Sequence, residues 1–278
     1  MIKLGLIGYP VSHSLSPKIQ NAALKACGLD GEYSLVPIAP DDMQTLKDLL
    51  DRVRAGKITG LNVTIPHKQN VIRFMDELTP TAKAIGAVSV IYLRDDKLTG
   101  DNADARGFLT DLKKTIDFSS LAASPSALVL GAGGSARAVV YALLNDGWNV
   151  TIAARRIEQA EELGRRFEKA LAIEPDLQTS QLSNFQLIVN TTPLGMTPNI
   201  NTSPLSENIV LPKHICVYDL VYNPRETKLV REARAQGLHA TTGLGMLIEQ
   251  AALGFELWTG YKPPKDILFE SVGATRLD

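Results

Sequence analysis

The stretch ALVLGAGGSA, residues 127–136, decides how this chain folds. Its first four residues, Ala127–Leu130, are an apolar run of strand length. The next six, Gly131, Ala132, Gly133, Gly134, Ser135 and Ala136, match G-x-G-x-x-G/A, the turn that carries a buried strand into a helix. Gly131 permits the tight turn, Gly133 lets a phosphate come close to the backbone, and Ala136 keeps helix and strand near each other. The helix start adds unpaired N–H groups that attract an anion. Glycines like these also occur in purely structural turns, but strand and helix stand where a dinucleotide site needs them. A bound dinucleotide is expected.

Working outward, the next strand, Asn149–Ala154, is followed by Arg155 and Arg156. An NAD site usually places an acid about 20 residues past the glycines, to hold the ribose 2′-hydroxyl. None stands here, and two guanidinium groups suit a 2′-phosphate in geometry and charge. Unless they merely end a solvated strand, the cofactor is NADP. A helix over Ile157–Leu171 and strands at Leu187–Asn190 and Cys216–Leu220 continue the alternation of a doubly wound parallel sheet. Upstream, strands are expected at Lys3–Ile7, Glu32–Pro37 and Leu61–Ile65, with a hairpin of Val88–Leu93 and Lys97–Thr99 around Asp95 and Asp96. Helices are expected from Pro17 to Ala26, over Asp41–Ala55 and over Leu247–Thr259. The stretch Ser119–Ser126, rich in Ser, Ala and Pro, is the most linker-like.

The 278 residues are enough for two domains, and 45% hydrophobic with 21% charged residues suits two ordinary cores. A net charge of −1 without a long basic run excludes the footprint of a nucleic-acid binder. No apolar stretch reaches the ~20 residues of a membrane helix, and the N-terminus has no signal-peptide pattern. Two distant cysteines and four dispersed histidines offer neither a disulfide framework nor a metal cluster. A cytoplasmic protein with no metal is expected. Helix faces leave monomer and homodimer both open.

The remaining motifs are GYPVSHSLSP at 8–17, NVTIPHK at 62–68, GDNADARGF at 100–108, NTTPLGM at 190–196, VYDLVYNPRET at 217–227 and GLGMLIEQAALGFELWTG at 243–260. In order and spacing they resemble the shikimate dehydrogenase family from Gly5 to about Gly260. The resemblance implies NADP-dependent reduction of 3-dehydroshikimate to shikimate in aromatic amino-acid (chorismate) biosynthesis. It also implies two α/β domains with a cleft between them: a substrate domain of 1–106 plus 242–278, and a Rossmann-type NADP domain of 107–241.

Lys68 lies just past a strand end and Asp104 in a polar loop after the hairpin; by the same resemblance they form the catalytic pair, which can pass the proton that accompanies hydride transfer to a ketone. Ser14 and Ser16 would hold the substrate carboxylate, although serines before Pro17 also suit turn-forming and helix-capping roles. Asn62, Thr64, Ser89, Tyr222 and Gln250 fall at substrate-recognising positions. Thr191, Leu220 and Gly243 fall beside the cofactor, with residues 131–135 and the two arginines. His67, next to Lys68, reads as structural.

Three departures stand out. The family usually has GAVN where Gly86–Ser89 reads GAVS, DNTDG where Ala103 and Ala105 intervene, and Asn-Arg-Thr where Ala154, Arg155 and Arg156 stand. Serine is shorter than asparagine and offers fewer hydrogen-bonding groups, so the substrate hydroxyl pattern is open. A quinate- or aminoshikimate-type relative, or an NADP-binding regulatory protein without catalysis, are the alternatives; intact Lys68 and Asp104 speak against the last.

Overall fold

A computed structural model describes residues 1–117, 124–168, 170–174, 179–206 and 209–275. Most of the linker-like stretch 119–126 lies outside them. The chain divides into two units, Met1–Gly107 with Ile248–Asp278, and Phe108–Leu247.

The first unit holds strands β1 (Ile2–Gly8), β2 (Gly31–Pro37), β3 (Gly60–Val63), β4 (Glu77–Leu78), β5 (Val90–Arg94) and β6 (Lys97–Asp101). They form one sheet in the order β2-β1-β3-β5-β6-β4. β1 runs parallel to β2 and β3, whereas β5 is antiparallel to both β3 and β6. The β5–β6 hairpin turns on Asp95 and Asp96 at φ 51° and 60°, the left-handed pair that a two-residue turn of matching twist requires. Leu46, Leu49, Leu50 and Val53 of the helix Met43–Arg54 pack on Leu61, Val63 and Ile91 of the sheet. Their i, i+3, i+4, i+7 spacing makes this the amphipathic helix the sequence predicts. Gly60 allows Trp258 to lie on β3: a Cβ there would sit 2.1 Å from the indole ring, whose Nε1 donates to the Ile91 carbonyl.

The second unit holds β7 (Ser126–Leu130), β8 (Asn149–Ala153), β9 (Ala170–Ile173), β10 (Leu187–Asn190), β11 (Cys216–Asp219) and β12 (Ala240–Thr242). The sheet is wholly parallel, in the order β12-β11-β10-β7-β8-β9. Such sheets are covered on both faces, so central strands read as unbroken apolar runs; β10 and the last four residues of β7 are entirely buried. The strand order reverses between β7 and β10, the switch point at which open α/β sheets bind ligands beyond their carboxyl ends.

One expectation needs correction. The helix beginning at Ile157 ends at Arg166, not Leu171, and Ala170–Ile173 returns as edge strand β9 beside β8. Apolar residues 170–173 satisfy either period, and strand pairing decides between them. Gly164 lets the returning backbone pass, since a Cβ there would stand 3.0 Å from the Ala170 carbonyl. No helix among the described residues is long and apolar enough to cross a membrane.

Candidate active site

Lys68 and Asp104 lie 36 residues apart in sequence, yet their side chains meet in the first unit at 2.6 Å between Nζ and Oδ2. Lys68 stands in the short helix His67–Asn70 that follows β3, and both side chains are about nine-tenths buried. Asp104 is expected in a polar loop but opens the helix Asp104–Thr115, where the helix dipole favours its carboxylate. The cause is Asn102, whose Oδ1 accepts from the Asp104 and Ala105 N–H groups and whose Nδ2 donates to the Ala87 carbonyl. Asn-x-Asp is a capping signal, and reading it would have found this helix.

Ser89 is buried at 2% exposure, and its Oγ accepts from the Ala103 N–H at 2.9 Å. It therefore braces the segment leading into Asp104. Asn62 is buried beside it, donating from Nδ2 to the Ser89 carbonyl and accepting from the Tyr33 hydroxyl at 2.8 Å. Sequence reasoning passes over Tyr33, which looks like any strand aromatic until its partner is seen. Thr64 directly follows β3, half-buried, its carbonyl accepting from the His67 N–H. His67 is fully buried, with Nε2 2.8 Å from the Ile38 carbonyl. Ser14 and Ser16 follow β1: the Ser14 hydroxyl accepts from the Ser16 N–H, and the helix Ser16–Ala26 has no side-chain cap. Gln250 lies in the first unit on the helix Leu244–Thr259, packed on Gly107 so closely that a Cβ there would stand 2.9 Å from its own.

In the second unit the residues expected to meet the cofactor gather at the carboxyl ends of the parallel strands. Gly131 follows β7 at φ 110°, and a Cβ would meet Thr191 Oγ1 at 2.6 Å. Thr191 follows β10 and donates its hydroxyl back to the Leu130 carbonyl. Leu220 and Gly243 follow β11 and β12; a Cβ on Gly243 would stand 2.3 Å from the Leu220 oxygen. Tyr222 lies half-buried two residues beyond Leu220.

Gly133 supplies the test of whether a dinucleotide fits. Its backbone is extended and a Cβ there would meet no atom within 4 Å, so neither conformation nor packing requires glycine. What remains is approach from outside the protein, as close contact with a pyrophosphate demands. The helix Gly134–Asn145 beginning there has no side-chain cap, in keeping with N–H groups aimed at an anion. Ala132, Gly134 and Ser135 line the same turn, partly exposed. Arg155 and Arg156 are exposed just past β8 and pair with no acid among the described residues, as a phosphate-binding pair should.

Sequence reading also passes over Asp219, at the end of β11. Fully buried, it accepts from Asn190 Nδ2, the Val221 N–H and the Thr227 hydroxyl. Burial pushes its carboxyl up to about 6, against the lowering pull of the hydrogen bonds from Thr227, Val221 and Asn190. An acid interrupting an apolar strand end was the available signal.

Known proteins are similar to this chain along nearly its whole length. Residues 6–91 match the shikimate dehydrogenase substrate binding domain, and residues 243–268 match the shikimate 5'-dehydrogenase C-terminal domain. A shikimate dehydrogenase (NADP(+)) of Bacillus licheniformis is 40% identical over 278 residues, covering 97% of each chain. One from Methanococcus maripaludis is 38% identical over 276 residues, covering 98% of this chain and 96% of the relative. The crystal structure of shikimate 5-dehydrogenase from Thermus thermophilus, in complex with NADP(H) and shikimate, superposes with a TM-score of 0.84 at 36% identity and covers 98% of both chains. The chain belongs to the shikimate dehydrogenase family.

Proposed function

We propose that this protein is an NADP-dependent shikimate dehydrogenase that reduces 3-dehydroshikimate to shikimate, with Lys68 and Asp104 as its catalytic pair. The observation that carries the reading is the buried 2.6 Å contact between Lys68 Nζ and Asp104 Oδ2, in a family whose members include proteins named shikimate dehydrogenase (NADP(+)). The cofactor, when bound, supplies the hydride. A proton must then reach the former carbonyl oxygen. In an ion pair only the ammonium carries protons, while the carboxylate is acceptor-only. Lys68 Nζ therefore donates the proton, and Asp104 holds the lysine in place. In the reverse direction the same nitrogen receives the proton from the substrate hydroxyl.

The first unit serves as the substrate domain. Ser14 and Ser16 hold the carboxylate through hydroxyl donors, while Asn62, Thr64 and Gln250 read the ring hydroxyls. Ser89, already accepting from Ala103, contacts substrate at most through a water. The second unit serves as the NADP domain: residues 131–135 cradle the pyrophosphate, Arg155 and Arg156 meet the 2′-phosphate, and Thr191, Leu220 and Gly243 line the nicotinamide end. A cytoplasmic setting suits the two free thiols, Cys27 and Cys216.

The test is nicotinamide absorbance with shikimate, quinate and an aminoshikimate, each against NADP and NAD. Fast turnover restricted to shikimate with NADP is expected. Preference for another substrate or for NAD would move the protein to a sister activity, and NADP binding without turnover on any substrate would remove the catalytic reading.

A further inference from the structure

We propose that Asp219 is a positioning residue for the cofactor, its carboxylate setting the two loops that leave β10 and β11. The proposal rests on the reading that NADP lies at the carboxyl edge of the second unit's sheet.

Asp219 Oδ1 accepts from Asn190 Nδ2 at 2.8 Å and from the Val221 N–H at 3.0 Å, so one oxygen bridges the ends of neighbouring strands. Oδ2 accepts from the Thr227 hydroxyl at 2.7 Å, and that hydroxyl also caps the helix Lys228–Ala235. Asn190 passes the order onward. Its Oδ1 accepts from both the N–H and the hydroxyl of Thr192, and its amide also donates to the Leu194 carbonyl at 3.3 Å. Thr191 is thus held between two fixed residues, and Leu220 lies between Asp219 and the Val221 it grips. Leu220 in turn supports Gly243, whose backbone tolerates no side chain against it.

Burying a carboxylate is costly, and a merely structural strand end would carry an apolar residue. Three donors, drawn from a strand end, a loop and a helix cap, account for an acid here. Asparagine at this position could keep most of the arrangement: its oxygen would still accept from Asn190 and Val221, and its amide could donate to the Thr227 hydroxyl. Alanine could keep none of it.

The experiment is equilibrium NADP binding, followed by intrinsic fluorescence, to the wild type and to Asp219→Ala, Asp219→Asn and Thr192→Val, each with a thermal melt. KM for shikimate and for NADP are measured alongside. Asp219→Ala should weaken NADP binding and raise its KM about tenfold, the equivalent of one or two lost net hydrogen bonds. Asp219→Asn should recover to within about threefold of wild type, and KM for shikimate should stay unchanged in both. Thr192→Val leaves Asp219 in place and cuts the network at its outer end, so it keeps the test alive if the alanine variant unfolds. It should weaken NADP binding about threefold. Unchanged NADP binding in a folded Asp219→Ala, or in Thr192→Val, would overturn the proposal. So would an equal rise in KM for both substrates, which marks general damage. Absence of NADP binding by the wild type would instead overturn the cofactor reading and this proposal with it.

Discussion

The two units organise their chemistry in contrasting ways. In the first, the central groups are charged side chains, Lys68 and Asp104, both buried, with the backbone around Asp104 held by Asn102 and Ser89. In the second, the central groups are backbone N–H groups around the open Gly133, with exposed arginines at the rim. On the proposed function, the difference follows from what each must do. A proton donor works through a defined atom in a dry setting, whereas a pyrophosphate is held by many weak, evenly placed donors. Substitutions in the first unit should therefore strike turnover, and those in the second should strike cofactor affinity.

The largest expected effect is from Asp104→Asn. Removing the charge that holds Lys68 should lower kcat about 10²- to 10⁴-fold, the usual range for lost acid–base assistance, with NADP affinity little changed. Steady-state kinetics and a binding titration on one preparation check this; a change confined to NADP affinity would break the comparison.

Next comes Asp219, the exception that sharpens the contrast, because it is a buried charge within the backbone-built unit. Its folded value of about 6 lies above its ordinary value of 3.8, so the fold prefers the neutral acid. The stabilisation linked to this group is complete below about pH 4 and is lost as pH rises through about 6. Asp219→Asn lacks that titration. The stability of wild type minus variant should fall by up to about 3 kcal/mol between pH 4 and pH 7. Urea denaturation of both across that range measures it, and a flat difference would contradict the burial argument.

Arg155→Ala with Arg156→Ala should weaken NADP by about 10- to 100-fold while leaving NAD unaffected, because bonds to a charged group contribute about 1.5–3 kcal/mol. Parallel KM values for the two cofactors report this, and an equal loss for both would show that the arginines do not read the 2′-phosphate. The smallest effect is from Gly133→Ala. It should weaken either cofactor about tenfold by blocking close approach, yet leave the melting temperature unchanged because no protein atom lies near the new methyl. A lower melting temperature would return Gly133 to a structural role.

Legibility in the sequence divides along the same line. The cofactor turn is readable because its determinants occupy six consecutive residues between a strand and a helix, and local geometry dictates each. Lys68 and Asp104 are joined only by the fold, across 36 residues, and spacing alone says nothing of their meeting. Family resemblance supplies them where physical reading does not. The helix Asp104–Thr115 escapes because its cap, Asn102, resembles loop composition; the start of strand β9 is taken for helix because apolar residues 170–173 fit both periods. Tyr33 and Asp219 escape because their roles lie in their hydrogen-bond partners, Asn62, Asn190 and Thr227, and those partners are assembled by sheet register.

The most direct measurement is a paired one on Lys68→Met, which removes the ammonium while retaining an unbranched side chain in its buried place. Shikimate oxidation and NADP affinity are read on the same sample. Turnover should fall at least about 10²-fold with NADP affinity within about threefold of wild type. Retained turnover, or a collapse of NADP binding in a folded protein, would contradict the assignment of proton chemistry to the first unit and cofactor binding to the second.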